Sequence, residues 1–316
     1  MSKKRLLSAL LGLLTALALW KVLPPGRQLW DGIAALPLWV WAGALAGLAV
    51  SYAMRAQRMR DEWADRVQMR WLDGLYLTLI HAAAINLLPM RAGEAGYPWL
   101  LQRHWRVPLL ESAASLFWLR VQDAGVLCVL ALVWFGPGAG ASGLLLRLGL
   151  AGALLLTLAL GGHALARWAL ARWPSPARFV KLWRMARGLV ESALRAPARG
   201  WLWSLTHWTG KIAGLGLIVA HLTGQPWLSA FGGTLAAEGA TALPVSPPAG
   251  FGNYEAGVWL GLHGLGADLP MATVLAAALV AHVFMLLVGV AAAGVCPWIA
   301  PPLADAAVPE GRAASV

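Results

Sequence analysis

The sequence predicts an all-α, polytopic integral membrane protein with about six full spans and two re-entrant helical hairpins in a pseudo-inverted repeat. Three observations carry this expectation. Of 316 residues, 59% are hydrophobic and 12% charged, and mean hydropathy is +0.64. So little polar surface cannot wrap a water-soluble globule of this size. Several apolar stretches also reach the roughly 20 residues that a helix needs to cross about 30 Å of hydrocarbon. Finally, two further apolar stretches are broken near their middles by Pro, Gly and charge.

The full spans are expected at residues 6–23, 33–54, 109–135, 143–165, 201–222 and 271–293. The first follows Lys3, Lys4 and Arg5 and resembles a signal peptide, but it is read as an uncleaved helix because its apolar run continues and a polytopic protein follows. The net charge of +11 and isoelectric point near 10.6 lie mainly in the connections between spans, which favours positive-inside bias over nucleic-acid binding. Arg55, Arg58, Arg60, Arg66 and Arg70 mark one expected cytoplasmic loop. Arg167, Arg172, Arg178, Lys181, Arg184, Arg187, Arg195 and Arg199 mark another. A bacterial inner-membrane location with both termini cytoplasmic follows from the same bias.

Parity then constrains the interrupted stretches. The spans 109–135 and 143–165 already satisfy two crossings between the basic loops, so stretch 71–101 enters and returns on the cytoplasmic side. The same count makes stretch 226–265 enter and return from the periplasm. Irregular backbone at such depth has to be covered by protein. Paired, Pro/Gly-broken segments in two halves are the pattern of inverted-repeat transporters with a site near the midplane. The chain is expected to form one membrane domain, 1–316, whose halves are about 1–165 and 200–316. They are joined by a basic segment, 166–199, in which 176–196 reads as an amphipathic helix for the anionic cytoplasmic surface.

The chemistry-bearing residues gather at the breaks. The first tip holds Pro89, Arg91, Gly93 and Glu94, and the second Pro247, Pro248, Gly250, Gly252, Asn253 and Glu255 after Ser246. Arg120 and Asp123 fall within a span. A charge at mid-bilayer costs about 2.5 to 3.5 kcal/mol on insertion scales, so it is kept where it has a partner or a water-filled cavity. Arg91, Glu94, Arg120, Asp123, Ser246, Asn253 and Glu255 are therefore candidate substrate-binding residues. The two Arg offer planar forks to a phosphate, and the carboxylates hold those Arg or accept a proton or amine. An ion-pair network that joins the hairpins would use the same residues. Pro89, Gly93, Pro247, Pro248, Gly250 and Gly252 are the turn positions, with glycine permitting close backbone approach. Helix starts at a broken tip add N–H groups suited to an anion.

The histidines at 81, 163, 207, 221, 263 and 282 lack metal-ligand spacing and are assigned to packing or the interface. Glu238 is a further possible proton acceptor. Cys128 and Cys296 are expected as buried thiols, and Trp20, Trp30, Trp39, Trp41, Trp134 and Trp201 as interface anchors. No nucleotide or hydrolase motif sits at a usable position, which argues against ATP-driven pumping within this chain, and no cofactor is expected.

In its motifs the chain resembles the flippase-like family of the lysylphosphatidylglycerol synthase transmembrane region. Pro89, Arg91, Gly93 and Glu94 match a Pro-x-Arg-x-Gly-Glu pattern. Arg120 and Asp123 match Glu-Arg-x-x-Asp, with Leu119 standing where that family has Glu. Pro247, Pro248, Gly250, Gly252 and Glu255 match a Pro-rich turn into Gly-x-Gly-x-x-Glu. The family includes the lipid-translocating part of multiple peptide resistance factors, stand-alone paralogues and hopanoid-associated members. The resemblance implies a protein that moves a phospholipid or lipid-linked molecule between leaflets, and the lack of a catalytic or nucleotide motif gives no sign of an enzyme. Its expected partner is a membrane lipid with an anionic or phosphate-bearing headgroup, with a lipid-biosynthesis enzyme as a possible associate. A short tail after residue 293 favours translocation over aminoacyl-lipid synthesis. The alternatives are a lipid-modifying membrane enzyme using Glu94 or Glu255 as general base, and an accessory protein of a lipid or hopanoid pathway.

Overall fold

The computed structural model describes residues 26–87, 93–138, 140–161, 198–242 and 247–299, with Lys21 and individual positions between 164 and 191. Among the described residues the protein is all-helical, with ten helices and no strands. They are α1 (Gly26–Ala34), α2 (Leu38–Trp63), α3 (Trp71–Leu87), α4 (Gly96–Trp105), α5 (Leu109–Phe135), α6 (Gly140–Leu156), α7 (Arg199–Thr223), α8 (Trp227–Thr241), α9 (Asn253–Gly264) and α10 (Met271–Ile299). The expected first span, 6–23, lies outside the described residues except for Lys21, as does most of the linker helix 176–196.

Local sequence sets the ends. Pro37, Pro108 and Pro226 precede α2, α5 and α8 in extended conformation, where the missing N–H costs nothing and the chain cannot extend the helix backwards. Gly224 closes α7 in the left-handed region at φ 67°, a conformation open to glycine without steric cost. Arg106 closes α4 at φ 57°, an unusual place for a residue with a side chain.

Three helices are long and apolar enough to cross a membrane among the described residues: Leu109–Phe135, Gly140–Gly161 and Met271–Trp298. The middle one is lipid-like over most of its surface, with Leu144, Leu145, Leu146, Leu148, Leu150, Leu156 and Leu160 exposed. Long α2 and α7 are more polar: α2 buries Arg58, Asp61 and Glu62, and α7 carries Ser204, His207 and the partly buried Lys211.

Small residues let α2 and α7 pack backbone to backbone. A Cβ on Gly47 would lie 2.4 Å from the Gly210 carbonyl oxygen and 2.9 Å from Gly214 Cα. The contact is extended by Val40, Ala44 and Leu48 against Leu215, Ile218 and Val219, all fully or nearly buried. The α8–α9 hairpin is closed in the same manner, with Gly257 against Ala237 and Gly261 against Gly233. Each hairpin leans on the other half: α3 packs on α10 and α8 packs on α5.

Polar contacts fasten the end of the fold that holds the C-terminus of α2. Trp63 Nε1 donates to the Tyr97 hydroxyl at 2.8 Å, and Ser115 Oγ donates to Glu62 Oε1 at 2.9 Å. Arg199 and the Trp203 indole both reach Asp61 Oδ2, at 2.7 and 2.9 Å, and Arg66 pairs with Glu111.

Several sequence expectations change here. Arg55 and Arg58 do not lie in a loop: nothing between residues 38 and 63 breaks the helix, so α2 runs through the charged stretch and turns Arg58 inward. Trp201 is 3% exposed within a core cluster, and Trp134 stacks on Phe231 with centroids 4.2 Å apart while its indole N–H donates to the Leu228 carbonyl. These two tryptophans are packing residues, whereas Trp30 and Trp39 are exposed. Cys128 is exposed and Cys296 buried.

Candidate functional site

A cavity of about 390 Å³ lies where the tips of both hairpins meet α2, α5, α7 and α10. Its wall carries Arg55, Glu94, Arg120, Asp123, Lys211 and Glu238, a density of charge that a protein with only 12% charged residues concentrates for a reason. Three cations and three carboxylates face one space.

The first hairpin places Glu94 in a short turn at residues 93–95, just ahead of α4. Gly93 makes that turn possible, since a Cβ there would sit 2.2 Å from the Ala84 carbonyl. It serves close packing of the hairpin on itself. Glu94 accepts from Arg120 Nη2 through both oxygens, at 2.9 and 3.0 Å, and His81 Nε2 lies 3.5 Å from Oε2. Arg120 remains 37% exposed on its side chain, so its guanidinium still addresses the cavity.

Asp123 is the hub beneath it. Oδ1 accepts from Arg58 Nη1 at 2.6 Å and Ser204 Oγ at 2.8 Å, with His207 Nε2 at 3.8 Å, while Oδ2 is 3.6 Å from Arg120. Arg58, 4% exposed, also donates to the Leu119 carbonyl at 2.6 Å. His207 Nδ1 meets Ser51 Oγ at 3.0 Å. The i,i+3 pair Arg120–Asp123 is therefore the weaker link of each partner: Arg120 leans to Glu94 and Asp123 to Arg58. On the far wall, Lys211 donates to Glu238 Oε2 at 2.7 Å, and Glu238 Oε1 is buried with no hydrogen-bond partner.

The second tip is built differently. Pro247 and the 3-10 turn Pro248–Gly250 bring Ala249 to φ 56° and Gly250 to φ 82°, and Gly252, at φ 86°, caps α9. Glu255 is 0% exposed and does not face the cavity. Its Oε2 accepts the Gly252 N–H at 2.5 Å and its Oε1 lies 2.8 Å from His282 Nδ1. The other ring nitrogen, His282 Nε2, is 3.0 Å from the Ala249 carbonyl oxygen. Pro247, Ala249, Gly250, Tyr254 and His282 form this part of the wall. Asn253 begins α9 beside Gly252 but does not line the cavity.

Of the sequence-derived candidates, the structure thus joins Glu94, Arg120 and Asp123 directly and sets Glu255 behind the second tip. Pro89, Arg91 and Ser246 lie outside the described residues. Sequence reasoning missed Arg55, Arg58, Lys211, His207 and His282 as site residues. Lys211 carried a usable signal, a lone cation inside an apolar span with an acid 27 residues on. Arg55 and Arg58 were hidden by the positive-inside pattern. Arg55 lines the cavity half-buried and makes no ion pair among the described residues.

No curated protein and no solved structure matches the chain. The sequence profile of the lysylphosphatidylglycerol synthase transmembrane region matches residues 6–293, nearly its full length. The chain therefore belongs to the lysylphosphatidylglycerol synthase transmembrane-region family, and is a lipid-related, multi-pass membrane protein.

Proposed function

We infer that this protein moves a phospholipid or lipid-linked molecule between leaflets of a bacterial inner membrane, holding the phosphate-bearing headgroup in the inter-hairpin cavity while the chains remain in lipid. The observation that carries this is Arg55: a guanidinium on the cavity wall, without an ion-pair partner among the described residues and beside the half-open Arg120. A planar fork held in a poorly solvated cavity is matched by a phosphate, which takes two charge-assisted hydrogen bonds at once. The cavity volume falls in the usual range for small-molecule sites, about 300 to 1,000 Å³.

Helix lengths support the alternating arrangement such transport needs. At 1.5 Å rise, 10 residues of α4 and 12 of α9 extend about 15 and 18 Å, roughly half of a bilayer core, while 17 of α3 and 15 of α8 extend about 26 and 23 Å and still fall short of its roughly 30 Å. Both hairpins are therefore read as re-entrant, from opposite faces. Long helix, hairpin, long helix occurs twice, as α2, α3–α4, α5 and as α7, α8–α9, α10, which supports a pseudo-inverted repeat with α2 against α7 at its centre.

Leaflet exchange of a fluorescent phosphatidylglycerol in proteoliposomes, read by a membrane-impermeant quencher, tests the proposal. Exchange is expected without chemical change to the lipid, and Arg55→Gln is expected to lower it about tenfold, the worth of one lost charge-assisted hydrogen bond. A lipid of altered mass after incubation would instead favour a lipid-modifying enzyme.

A further inference from the structure

His282 is buried between two acceptors. Its Nε2 faces the Ala249 carbonyl oxygen at 3.0 Å and its Nδ1 faces Glu255 Oε1 at 2.8 Å. Both contacts are bonding only if a hydrogen sits in each, so His282 and Glu255 together must hold two protons. Imidazolium with carboxylate satisfies this, and so does a neutral imidazole protonated on Nε2 with a carboxylic acid protonated on Oε1. The pair is neutral overall in either form.

Loss of one proton breaks the arrangement. The pair then bears one negative charge, and a single hydrogen remains for two contacts. A carboxylate away from water claims the donor, because the charge-assisted bond is the stronger and an unpaired buried charge the costlier. The hydrogen stays on Nδ1, and Nε2 turns a lone pair toward the Ala249 oxygen. Ala249 sits at φ 56°, in a left-handed conformation that a residue with a Cβ holds only where its surroundings impose it. The backbone bonds of the turn remain, but the side-chain contact that holds the Ala249 carbonyl has become repulsive.

Resting on the lipid-transport reading above, we propose that Glu255 and His282 form a proton-binding site that latches the second hairpin tip when occupied and releases it when empty, coupling lipid movement to proton movement. The proton leaves His282 Nε2 for water entering the cavity, whose wall His282 and Ala249 line, and returns by the same path. A purely structural link between α9 and α10 needs no titratable partner, and none that opens on a cavity.

Of the neighbouring charges, all but Arg55 are already engaged. From α9, Tyr254 stacks on the imidazole at 4.6 Å, and its hydroxyl is buried without a hydrogen-bond partner. From α7 and α8, Lys211 and Glu238 face each other and His207 faces Asp123. From α3, His81 meets Glu94 and Asp73 pairs with Arg70. From α2, Tyr52 and Arg55 share the cavity wall.

The test uses the full chain in two settings. In lipid nanodiscs, nitrogen NMR of labelled histidine side chains, assigned with His282→Gln, is expected to show His282 Nε2 losing its proton as pH rises. Glu255→Gln, whose amide mimics the protonated acid, is expected to abolish that transition and hold the latched form. A His282 that keeps one protonation state across the range overturns the proton site. In proteoliposomes, an imposed pH gradient is expected to raise wild-type lipid exchange several-fold, with the gain removed by a protonophore and absent in Glu255→Gln. Exchange indifferent to the gradient overturns the coupling while the transport reading stands. If wild-type protein moves no lipid under any condition, transport and coupling fall together, and the NMR titration still decides the proton site.

Discussion

Arg55 and Arg58 lie one turn apart on α2 and have opposite surroundings. Arg58 is sealed against Asp123 and the Leu119 carbonyl, whereas Arg55 faces the cavity with no ion-pair partner among the described residues. Halving a buried pair leaves a desolvated charge and typically costs about 3 to 5 kcal/mol. Arg58→Ala is therefore expected to lower thermal stability sharply in detergent, and Asp123→Asn to do so less, since Ser204 still has an oxygen to bond. Arg55→Gln is expected to leave the melting temperature within a degree or two of wild type while lowering lipid exchange. A matching loss of stability in Arg55→Gln would move that residue from the site to the scaffold. At this scale the sequence was partly legible. Glu94, Arg120 and Asp123 announce themselves as charges in apolar surroundings, but which acid holds which base depends on the crossing of α2 and α5. Position along the chain cannot supply that, and Arg120 lies nearer to Glu94 than to Asp123, its neighbour by sequence.

Helices in lipid lack a hydrophobic drive toward one another, so their contacts depend on small residues that admit close backbone approach. Gly47 meets Gly210 and Gly214, and Gly257 meets Ala237, at distances where a Cβ has no room. Gly47→Val and Gly257→Val are each expected to destabilise the protein by about 1 to 3 kcal/mol through overpacking against backbone that cannot yield. Gly149→Ala, with open space around its Cβ, should be silent or slightly stabilising through helix propensity. Thermal unfolding of the three variants in one detergent separates these outcomes, and equal melting temperatures would remove the glycine contacts from the account. The apolar runs themselves identified the elements well, because span length is dictated by the bilayer and Pro or Gly breaks are visible by inspection. Their ends were less legible. Helix α2 was expected over 33–54 and runs over Leu38–Trp63, since hydropathy ends where charge begins and a helix does not. The inward role of Trp134 and Trp201 depends on partners from α8 and α5, respectively, that no local pattern reveals.

For the molecule as a whole, the proposed mechanism depends on two hairpins with short return limbs that enter from opposite faces, so that each tip meets the other within the membrane and neither opens directly to both sides. Cysteine labelling in a background without Cys128 and Cys296 can decide this. Arg103 and Arg106, exposed at the base of the first hairpin, are expected to label from the cytoplasm after substitution; Gln225 and Asp268, at the base of the second, are expected to label from the periplasm. Base positions alone do not separate a re-entrant hairpin from two short crossings, because both return the chain to its starting side. Tip positions do. Ala95 is exposed beside the first tip, and a side chain at Gly239 meets nothing within 4 Å near the second. With a bulky impermeant reagent, Ala95→Cys should stay unlabelled from the periplasm and Gly239→Cys unlabelled from the cytoplasm, since each lies behind the opposing tip. Labelling of Ala95→Cys from the periplasm would mean that α3 and α4 cross the bilayer. The inverted relation between halves would then fail, and with it the reason for expecting a headgroup to find its site between the tips.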